Sequence, residues 1–484
     1  MPDSLAIGLV IMLIMTIVQR GVGFVRSVWL CKLLDDYEVG LWSLSYVFLC
    51  TATPMVLFGL PGSLPRYVEH YRQRGHLQDF IRRIVCVTAF CCTIFLAIML
   101  AGSQPLAWLI YSDESQVGLV FALSLAAIAL IAFFVVNELV SSLRQVKTSS
   151  IMYFLQGVLF TLVGITCLYM GGGIRSLIIS FAITTAIALI PGLVTIFRGW
   201  SSLDTTSESF DQKAMWRKLL PYAAALWAMN LLTNAFGMVD RGMIMHLYPG
   251  SEFEAQSAVG QYHSSRIFAV LLMSLASMVA GVLMPYLTAD WEQGKREVAK
   301  KRIRQATLLM SVLSTIGAAA VMLVAPWLFS SLLENRYTQG LELMPMAFAM
   351  CTWGGLTVLI QSYVLLIERG KYLAIVFGLG LLVNIVLNYL FVPTWGLTGA
   401  VVATLISTGL TLAGIFVCNA RMGLKFDPTS YYSFILPATI LFSPLMSLIC
   451  VVLVILVNPT TKDWIHEGAQ MLQAKLKRGR LSRA

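Results

Sequence analysis

The sequence predicts an all-α membrane protein with twelve transmembrane helices and a further hydrophobic segment near its carboxyl end. Hydrophobic residues make up 58% of its 484 residues and charged residues only 12%, which is not the composition of a water-soluble domain. The apolar residues gather into runs of about 20, the length that crosses a bilayer as a helix. Because backbone groups in hydrocarbon must bond to one another, these runs are expected to be helical.

Twelve spans and one further segment follow from this pattern. The further segment, 431–457, is either a thirteenth span or a kinked or re-entrant element broken at Pro437 and Pro444, and the sequence leaves both open. The twelve spans are predicted near 5–30, 39–60, 84–103, 119–138, 151–170, 176–197, 219–240, 262–288, 305–330, 343–366, 373–392 and 397–418.

The loop charges predict the orientation of the chain. With a cytoplasmic amino terminus, the inner loops carry 21 lysines and arginines and the outer loops four. This asymmetry is the positive-inside signal, and it predicts a multi-pass protein of the bacterial inner membrane with its amino terminus in the cytoplasm. The tail, 459–484, is basic and amphipathic, and the sequence leaves open which side it occupies.

Several classes of function are disfavoured by composition. The net charge of +10 lies in short loops between spans, so it does not indicate a nucleic-acid partner. The nine cysteines lie in or beside apolar runs without metal-site spacing, so neither a cofactor nor a metal is expected. The amino terminus shows no cleavable signal peptide, since the first apolar run is too long for one.

An internal repeat divides the chain into two halves. Gly40 corresponds to Gly260, 220 residues later, and four further matches follow at offsets of 220 to 224. Six spans per repeat predict two pseudo-symmetric six-helix lobes around a central cavity. The predicted domains are an amino-terminal lobe (1–200), a cytoplasmic linker (201–218), a carboxyl-terminal lobe (219–420) and the extra segment with the basic tail (421–484).

Two arginines lie inside the first apolar run. Arg20 and Arg26 would each cost roughly 2.5–3.5 kcal/mol near the membrane centre. Such residues are kept when they face a polar cavity and meet an anion there; the alternative is that their side chains extend to the headgroups. The sequence favours a cationic cavity.

Short motifs occur along the chain in a characteristic order and spacing. They are Arg20-x-x-Gly23-Phe24-x-Arg26, Gly40-Leu41-Trp42-Ser43, Gly59-Leu60-Pro61-Gly62, Val259-Gly260-Gln261-Tyr262 with Arg266, Asn384 to Asn388, and Pro393 to Ala400. In these stretches the chain resembles bacterial polysaccharide (O-antigen or capsule) flippases, members of the superfamily of multidrug, oligosaccharidyl-lipid and polysaccharide exporters that includes the lipid II flippase.

The resemblance implies a two-lobe flippase that carries a polyprenyl-diphosphate-linked oligosaccharide, a polysaccharide repeat unit, across the inner membrane by alternating access. The lipid II flippase pattern commonly has aspartate where this chain has Ser27, and this chain lacks an arginine in the middle of the second span. Both departures favour an O-antigen, capsule or exopolysaccharide unit. The implied partners are the lipid-linked glycan, membrane lipids and the polysaccharide polymerase and chain-length machinery.

The diphosphate of such a substrate indicates the candidate binding residues. Arginine offers a permanently charged planar fork to phosphate oxygens. We therefore expect Arg20, Arg26 and Arg266 to contact the diphosphate, with a headgroup contact as the alternative for Arg266. Arg66 is a further candidate at the inner mouth, where loop charge is the alternative explanation.

Few acidic residues lie at membrane depth. Asp240 and Glu138 are candidates for ion coupling, with Na⁺ or H⁺ as the coupling ion, or for charge pairing with an arginine. Asn384 and Asn388 are four residues apart and share a helix face, which predicts interhelical hydrogen bonds.

Two other functions are compatible with parts of the sequence. A cation-coupled multidrug exporter would have the same fold, but arginines in the first span suit organic cations poorly. A glycan polymerase or ligase would need a sizeable outer loop with paired catalytic acids, which the sequence lacks, so no enzymatic activity is expected.

Overall fold

A computed structural model describes residues 5–143, 145–200, 210–332, 337–425 and 428–458. Every regular element in these ranges is helical, as the sequence predicts. The first nine helices are α1 (Leu5–Leu33), α2 (Asp36–Leu57), α3 (Leu60–Arg72), α4 (Leu77–Ala101), α5 (Ser103–Tyr111), α6 (Val117–Ser142), α7 (Val146–Tyr169), α8 (Gly173–Ala188) and α9 (Ile190–Trp200). The remaining nine are α10 (Gln212–Leu247), α11 (Glu252–Glu292), α12 (Arg296–Leu332), α13 (Thr338–Glu342), α14 (Met344–Ile360), α15 (Ser362–Leu366), α16 (Gly370–Arg421), α17 (Pro428–Ala438) and α18 (Pro444–Val457).

Each of the twelve predicted spans coincides with helix. By length and composition, nine helical stretches of the described residues are able to cross a membrane. The longest of them, Gly370–Arg421, contains two predicted spans joined across a kink. At the kink Gly396 has φ 56° and ψ −131°, a backbone conformation that only glycine adopts readily.

The start of the seventh predicted span falls differently in the structure. The span expected to begin at 219 starts at Gln212, because Asp211 caps α10 by accepting a hydrogen bond from the Ala214 amide over 3.0 Å. Residues 201–209 of the predicted linker lie outside the described residues. The predicted division into an amino-terminal lobe, a linker and a carboxyl-terminal lobe stays a prediction.

The segment 431–457 is broken at its prolines, which is one of the two alternatives that the sequence leaves open. Helix α17 ends at Ala438, one residue after Pro437, and a single 3₁₀ turn follows. Helix α18 then begins at Pro444, where Ser443 caps the new amino terminus. The basic tail, 459–484, lies outside the described residues.

The chain forms two compact units. The first contains Met1–Ser264, Leu332–Tyr337 and Asn384–Ala400, so it holds α1 to α10, the start of α11 and the middle of α16. One of its cores lies where α3 and α4 pack against α6 and α10. Its buried members include Leu64, Phe80, Leu139 and Leu219.

The second unit contains Ser265–Ser331, Thr338–Val383 and Val401–Ala484. In it, α12 packs against α17 and α18 through Leu308, Leu436 and Val451. The indole of Trp353 in α14 stacks on Phe434 at 5.4 Å and donates a 3.0 Å hydrogen bond to its carbonyl. These contacts hold the additional carboxyl-terminal helices in place.

Candidate functional site

Both arginines of α1 point towards neighbouring helices of the first unit. Arg26 is half-buried, and its guanidinium carbon lies 4.7 Å from the centre of the Phe160 ring in α7. Arg20 is exposed. Both guanidinium groups lie near enough to the Tyr46 hydroxyl of α2 for their charges to act on it. Positions 20 and 26 lie about 120° apart around α1, so the two cations share a neighbour, Tyr46, rather than one face of the helix.

A polar strip continues from Arg20 to α6. The Tyr153 hydroxyl of α7 lies near enough to Arg20 and Glu138 for both charges to act on it. The hydroxyl also accepts a 3.4 Å hydrogen bond from the side-chain amide of the buried Asn137. The oxygen of Asn137 in turn accepts a 2.7 Å hydrogen bond from Ser149. Glu138 itself is half-buried. Sequence reasoning identified Glu138 but missed Asn137 and Tyr153, although an asparagine next to a glutamate in an apolar run was a usable signal.

Asp240 lies in an enclosed polar site of the first unit. Its side chain is only 1% exposed. One carboxylate oxygen accepts a 2.7 Å hydrogen bond from the Tyr262 hydroxyl, and the other accepts from the amides of Asn384 at 2.9 Å and Asn388 at 3.3 Å. A carboxylate buried this deeply is tolerated only when hydrogen bonds replace its hydration.

The two asparagines behave as their spacing predicts. Asn384 and Asn388 are fully buried, reach from α16 to α10, and are joined to each other by a 3.2 Å hydrogen bond. The prediction of interhelical hydrogen bonds is therefore confirmed for this pair. The Asn388 side-chain oxygen is buried without a hydrogen-bond partner. The cluster therefore keeps one hydrogen-bond acceptor that is not used.

Arg241 lies inside a helix, where the sequence analysis placed an outer loop. The predicted span ended at 240, but α10 continues to Leu247. The arginine is tolerated inside the helix because its guanidinium is hydrogen-bonded. Nε of Arg241 donates to Ser43 at 2.7 Å, and Nη1 donates to the Gly237 carbonyl at 3.0 Å. Its guanidinium carbon also lies 5.4 Å from the centre of the Tyr262 ring, on the tyrosine that bonds Asp240.

Helix α2 joins these two polar groups. Ser43 contacts Arg241, and Tyr46, one turn later, lies near Arg20 and Arg26. Five of the six predicted site residues belong to the first unit: Arg20, Arg26, Arg66, Glu138 and Asp240. Arg266 is half-buried in α11 and belongs to the second unit. Arg66 lies in α3, and its side chain is outside the described part of the structure.

Glycines related by the internal repeat meet at the start of α11. Gly40 of α2 and Gly260 of α11 pack so closely that a Cβ on Gly40 would overlap the Gln256 carbonyl. A Cβ on Gly260 would likewise overlap the Asp36 carbonyl. Only glycine permits this backbone contact.

Side-chain hydrogen bonds hold the same region together. The Gln261 amide donates to Asp36 at 3.3 Å, and the Gln256 amide donates to the Tyr111 carbonyl at 2.8 Å. The first turns of α11 are therefore fixed to α2 and α5.

The fold is that of a class of membrane transporters. The structure matches the lipid II flippase MurJ, inward closed conformation, with a TM-score of 0.70 and 14% identity over 95% of this chain and 99% of that one. An inward-facing multidrug resistance MATE family transporter of the MOP superfamily gives 0.65 and 12% over 86% and 98%. A MOP superfamily transporter from Pyrococcus furiosus gives 0.61 and 14% over 87% and 96%. The predicted fold class is confirmed.

The sequence places the chain more narrowly within that class. It belongs to the family described as polysaccharide biosynthesis protein, which matches residues 5–290. The uncharacterized membrane protein YabM of Bacillus subtilis (strain 168) is 26% identical over 211 residues, 43% of this chain. The chain spans about two-fifths of that relative, 39% of its length. The chain therefore belongs to the polysaccharide biosynthesis family and shares its fold with a lipid II flippase and with MATE transporters, in agreement with the resemblance in its sequence.

Proposed function

We propose that the protein is a flippase that carries a polyprenyl-diphosphate-linked oligosaccharide across the bacterial inner membrane by alternating access. Family membership supports a role in polysaccharide biosynthesis, and the fold supports transport. The observation that carries the proposal is that Arg20 and Arg26 both lie near Tyr46 of α2, with Arg26 also over Phe160 of α7. Two guanidinium groups beside the same side chain suit a diphosphate, whose oxygens accept their forked donors.

Further substrate contacts belong to the same proposal. Arg66 and Arg266 are the additional cations that we assign to the diphosphate, the first from α3 and the second from α11. The 21 to 4 charge asymmetry predicts a cytoplasmic amino terminus. In that orientation α3 lies on the inner side, where we expect the lipid-linked glycan to be loaded. The polymerase and chain-length machinery would receive the delivered glycan.

We assign ion coupling to Asp240. A carboxylate enclosed by the donors of Tyr262, Asn384 and Asn388 changes its environment when it takes up a proton or Na⁺. The Asn388 oxygen offers a further ligand. Glu138 is the alternative coupling group, because it lies beside Tyr153 on the strip that contains Arg20.

A cation-coupled drug exporter is the second candidate, favoured by the fold shared with MATE transporters. The positive charges of Arg20 and Arg26 weigh against it, since they repel organic cations at short range. An enzyme that polymerises or ligates glycans ranks last.

Reconstitution tests the proposal directly. Purified protein is placed in vesicles with a lipid-linked oligosaccharide, and arrival of the glycan in the opposite leaflet is measured. Each charge-assisted hydrogen bond contributes roughly 1.5–3 kcal/mol, so we expect the double variant Arg20→Gln/Arg26→Gln to lose at least tenfold in transport.

The matched control removes a different cation from the same helix. Lys32 is exposed and packs over Trp29 near the end of α1, so Lys32→Gln is expected to keep full transport. Size-exclusion profiles and thermal unfolding verify that each variant is folded. Full transport by the folded double variant would refute the diphosphate site, and transport of organic cations instead of glycan would favour the exporter.

A further inference from the structure

A cavity in the first unit is lined neither by Arg20 and Arg26 of α1 nor by the Asp240 cluster. It has a volume of about 420 Å³ and lies between α2, α5 and α10, with one side chain from α16. Leu44, Phe48, Leu109, Met238 and Met243 supply much of its wall. A space of this size with such a wall is typical of a site for a small apolar ligand.

The mouth of the cavity opens through an apolar surface. Leu109 is 51% exposed, Met238 39% and Tyr389 65%, and all three line the cavity. Trp108, next to Leu109, is 52% exposed. On a membrane protein, apolar side chains exposed together face lipid chains, and tryptophan and tyrosine mark the level of the headgroups. A ligand therefore enters this cavity from the bilayer.

The lining of the cavity includes a charged residue. Among the described residues that line it, Arg241 is the sole lysine, arginine, aspartate or glutamate. Its guanidinium is held in place by Ser43 and by the Gly237 carbonyl. A fixed guanidinium beside an apolar cavity suits an amphiphile with a hydrocarbon chain and an anionic head.

We propose that the cavity binds one acyl chain of an anionic membrane phospholipid, with the phosphate of the lipid held by Arg241. The volume suits a single acyl chain and is far too small for the much longer isoprenoid chain of a lipid-linked glycan. The site is therefore a lipid site separate from the substrate path.

The bound lipid is linked to the Asp240 cluster through two neighbours. Arg241 lies over the ring of Tyr262, and the hydroxyl of Tyr262 donates to Asp240. Tyr389 lines the cavity directly after Asn388, whose amide also donates to Asp240. A lipid that engages Arg241 thus changes the surroundings of the buried carboxylate.

Photo-crosslinking tests the site in the full-length protein. The protein is reconstituted in nanodiscs with phosphatidylglycerol that carries a diazirine on one acyl chain, and labelled peptides are mapped by mass spectrometry. We expect labels on the α10 residues Met238 to Leu247 and on Leu44 to Phe48 of α2. A phosphatidylcholine probe, with no net charge, should label the same residues about tenfold less, the effect of one charge-assisted contact.

Two variants separate this site from general lipid contact. A Cβ on Gly242, which lines the cavity, meets nothing within 4 Å, so Gly242→Leu fills the cavity without a backbone clash. It should lower acyl-chain labelling about tenfold, through the lost burial of methylene groups. The control Gly378→Leu, also without a neighbour within 4 Å, should label as the natural protein does.

Arg241→Gln tests the headgroup contact independently of the cavity. This variant should abolish the preference for phosphatidylglycerol over phosphatidylcholine. Unchanged labelling in Gly242→Leu, or an undiminished lipid preference in Arg241→Gln, would overturn the proposal. Stronger labelling of the cavity by a diazirine-bearing polyprenyl diphosphate than by phosphatidylglycerol would also overturn it, because the cavity would then belong to the substrate.

Discussion

The aromatic ring of Phe160 helps to hold the Arg26 side chain in place. Its guanidinium carbon lies 4.7 Å from the centre of the Phe160 ring, a contact that contributes about 0.5–2 kcal/mol according to how well it is shielded from water. The ring also fixes the plane of the guanidinium. Phe160 therefore acts with Arg26 in orienting the fork of donors.

The first prediction at this scale concerns Arg26→Lys. The ammonium keeps the charge but offers neither the planar fork nor the same contact with Phe160, so we expect transport of the lipid-linked glycan to fall about tenfold. Flipping in vesicles is the measurement, with Lys32→Arg as the control for a cation exchange elsewhere in α1. Equal transport by Arg26→Lys would show that charge alone suffices.

The second residue prediction concerns Asp240→Asn. The variant removes the buried negative charge while it preserves the size of the side chain, so transport should lose its response to an imposed Na⁺ or H⁺ gradient. Gradient-driven flipping in vesicles measures this, and Glu252→Gln, an exposed acid in the first turn of α11, is the control. A gradient response unchanged from the natural protein would remove Asp240 as the coupling group.

The third residue prediction concerns His70, near the end of α3. Partial burial, with further effects from Arg74 and Lys218, lowers the pKa of His70. Since the folded state then binds the proton less well than the unfolded state, folding stability falls as the pH drops through about 6.5. His70→Gln should reduce the loss of thermal stability between pH 7.5 and pH 5.5. An identical loss in the variant would contradict this assignment.

At the scale of elements, the close approach of α2 and α11 depends on Gly40 and Gly260. A methyl group at either position would overlap a backbone carbonyl, which cannot move aside as a side chain can. Gly40 and Gly260 occupy equivalent positions in the two halves of the internal repeat, so the contact joins one half of the sequence to the other.

This contact predicts the effect of Gly40→Ala and Gly260→Ala. Each should destabilise the folded protein by roughly 1–3 kcal/mol, the usual cost of overpacking. The measurement is thermal unfolding in detergent. Gly281→Ala is the control, because a Cβ there meets nothing within 4 Å, and it should raise stability by up to about 1 kcal/mol through helix propensity. A midpoint for Gly40→Ala at or above that of the natural protein would contradict the predicted contact.

For the whole molecule, the central prediction is its orientation. Ser115, in the turn before α6, and Gln293, after α11, are both exposed and should lie on opposite sides of the membrane. In a cysteine-free background, an impermeant maleimide added to intact spheroplasts should label Ser115→Cys and leave Gln293→Cys unlabelled. Permeabilised cells provide the control, in which both react. The reverse pattern would place the amino terminus outside.

The sequence predicted the fold class and the positions of the spans, and it left a break at Pro437 and Pro444 as one of two alternatives. It also singled out Arg20, Arg26 and Asp240 as candidate site residues, and their roles stay predictions. It did not predict that Arg241 lies within a helix, because a single arginine at the end of an apolar run resembles a loop residue. Ser43 and the Gly237 carbonyl, which satisfy that arginine, become neighbours only after folding.

The features that the sequence determined by itself follow from the preference of each residue for lipid or water. Apolar runs set the helices, and loop charges favour one orientation, because both preferences act along the chain without reference to distant residues. The tertiary structure alone decided which partners surround Asp240, which glycines touch and where a cavity remains beside Arg241. These features depend on the register between helices more than 100 residues apart, and that register follows from packing rather than from hydrophobicity.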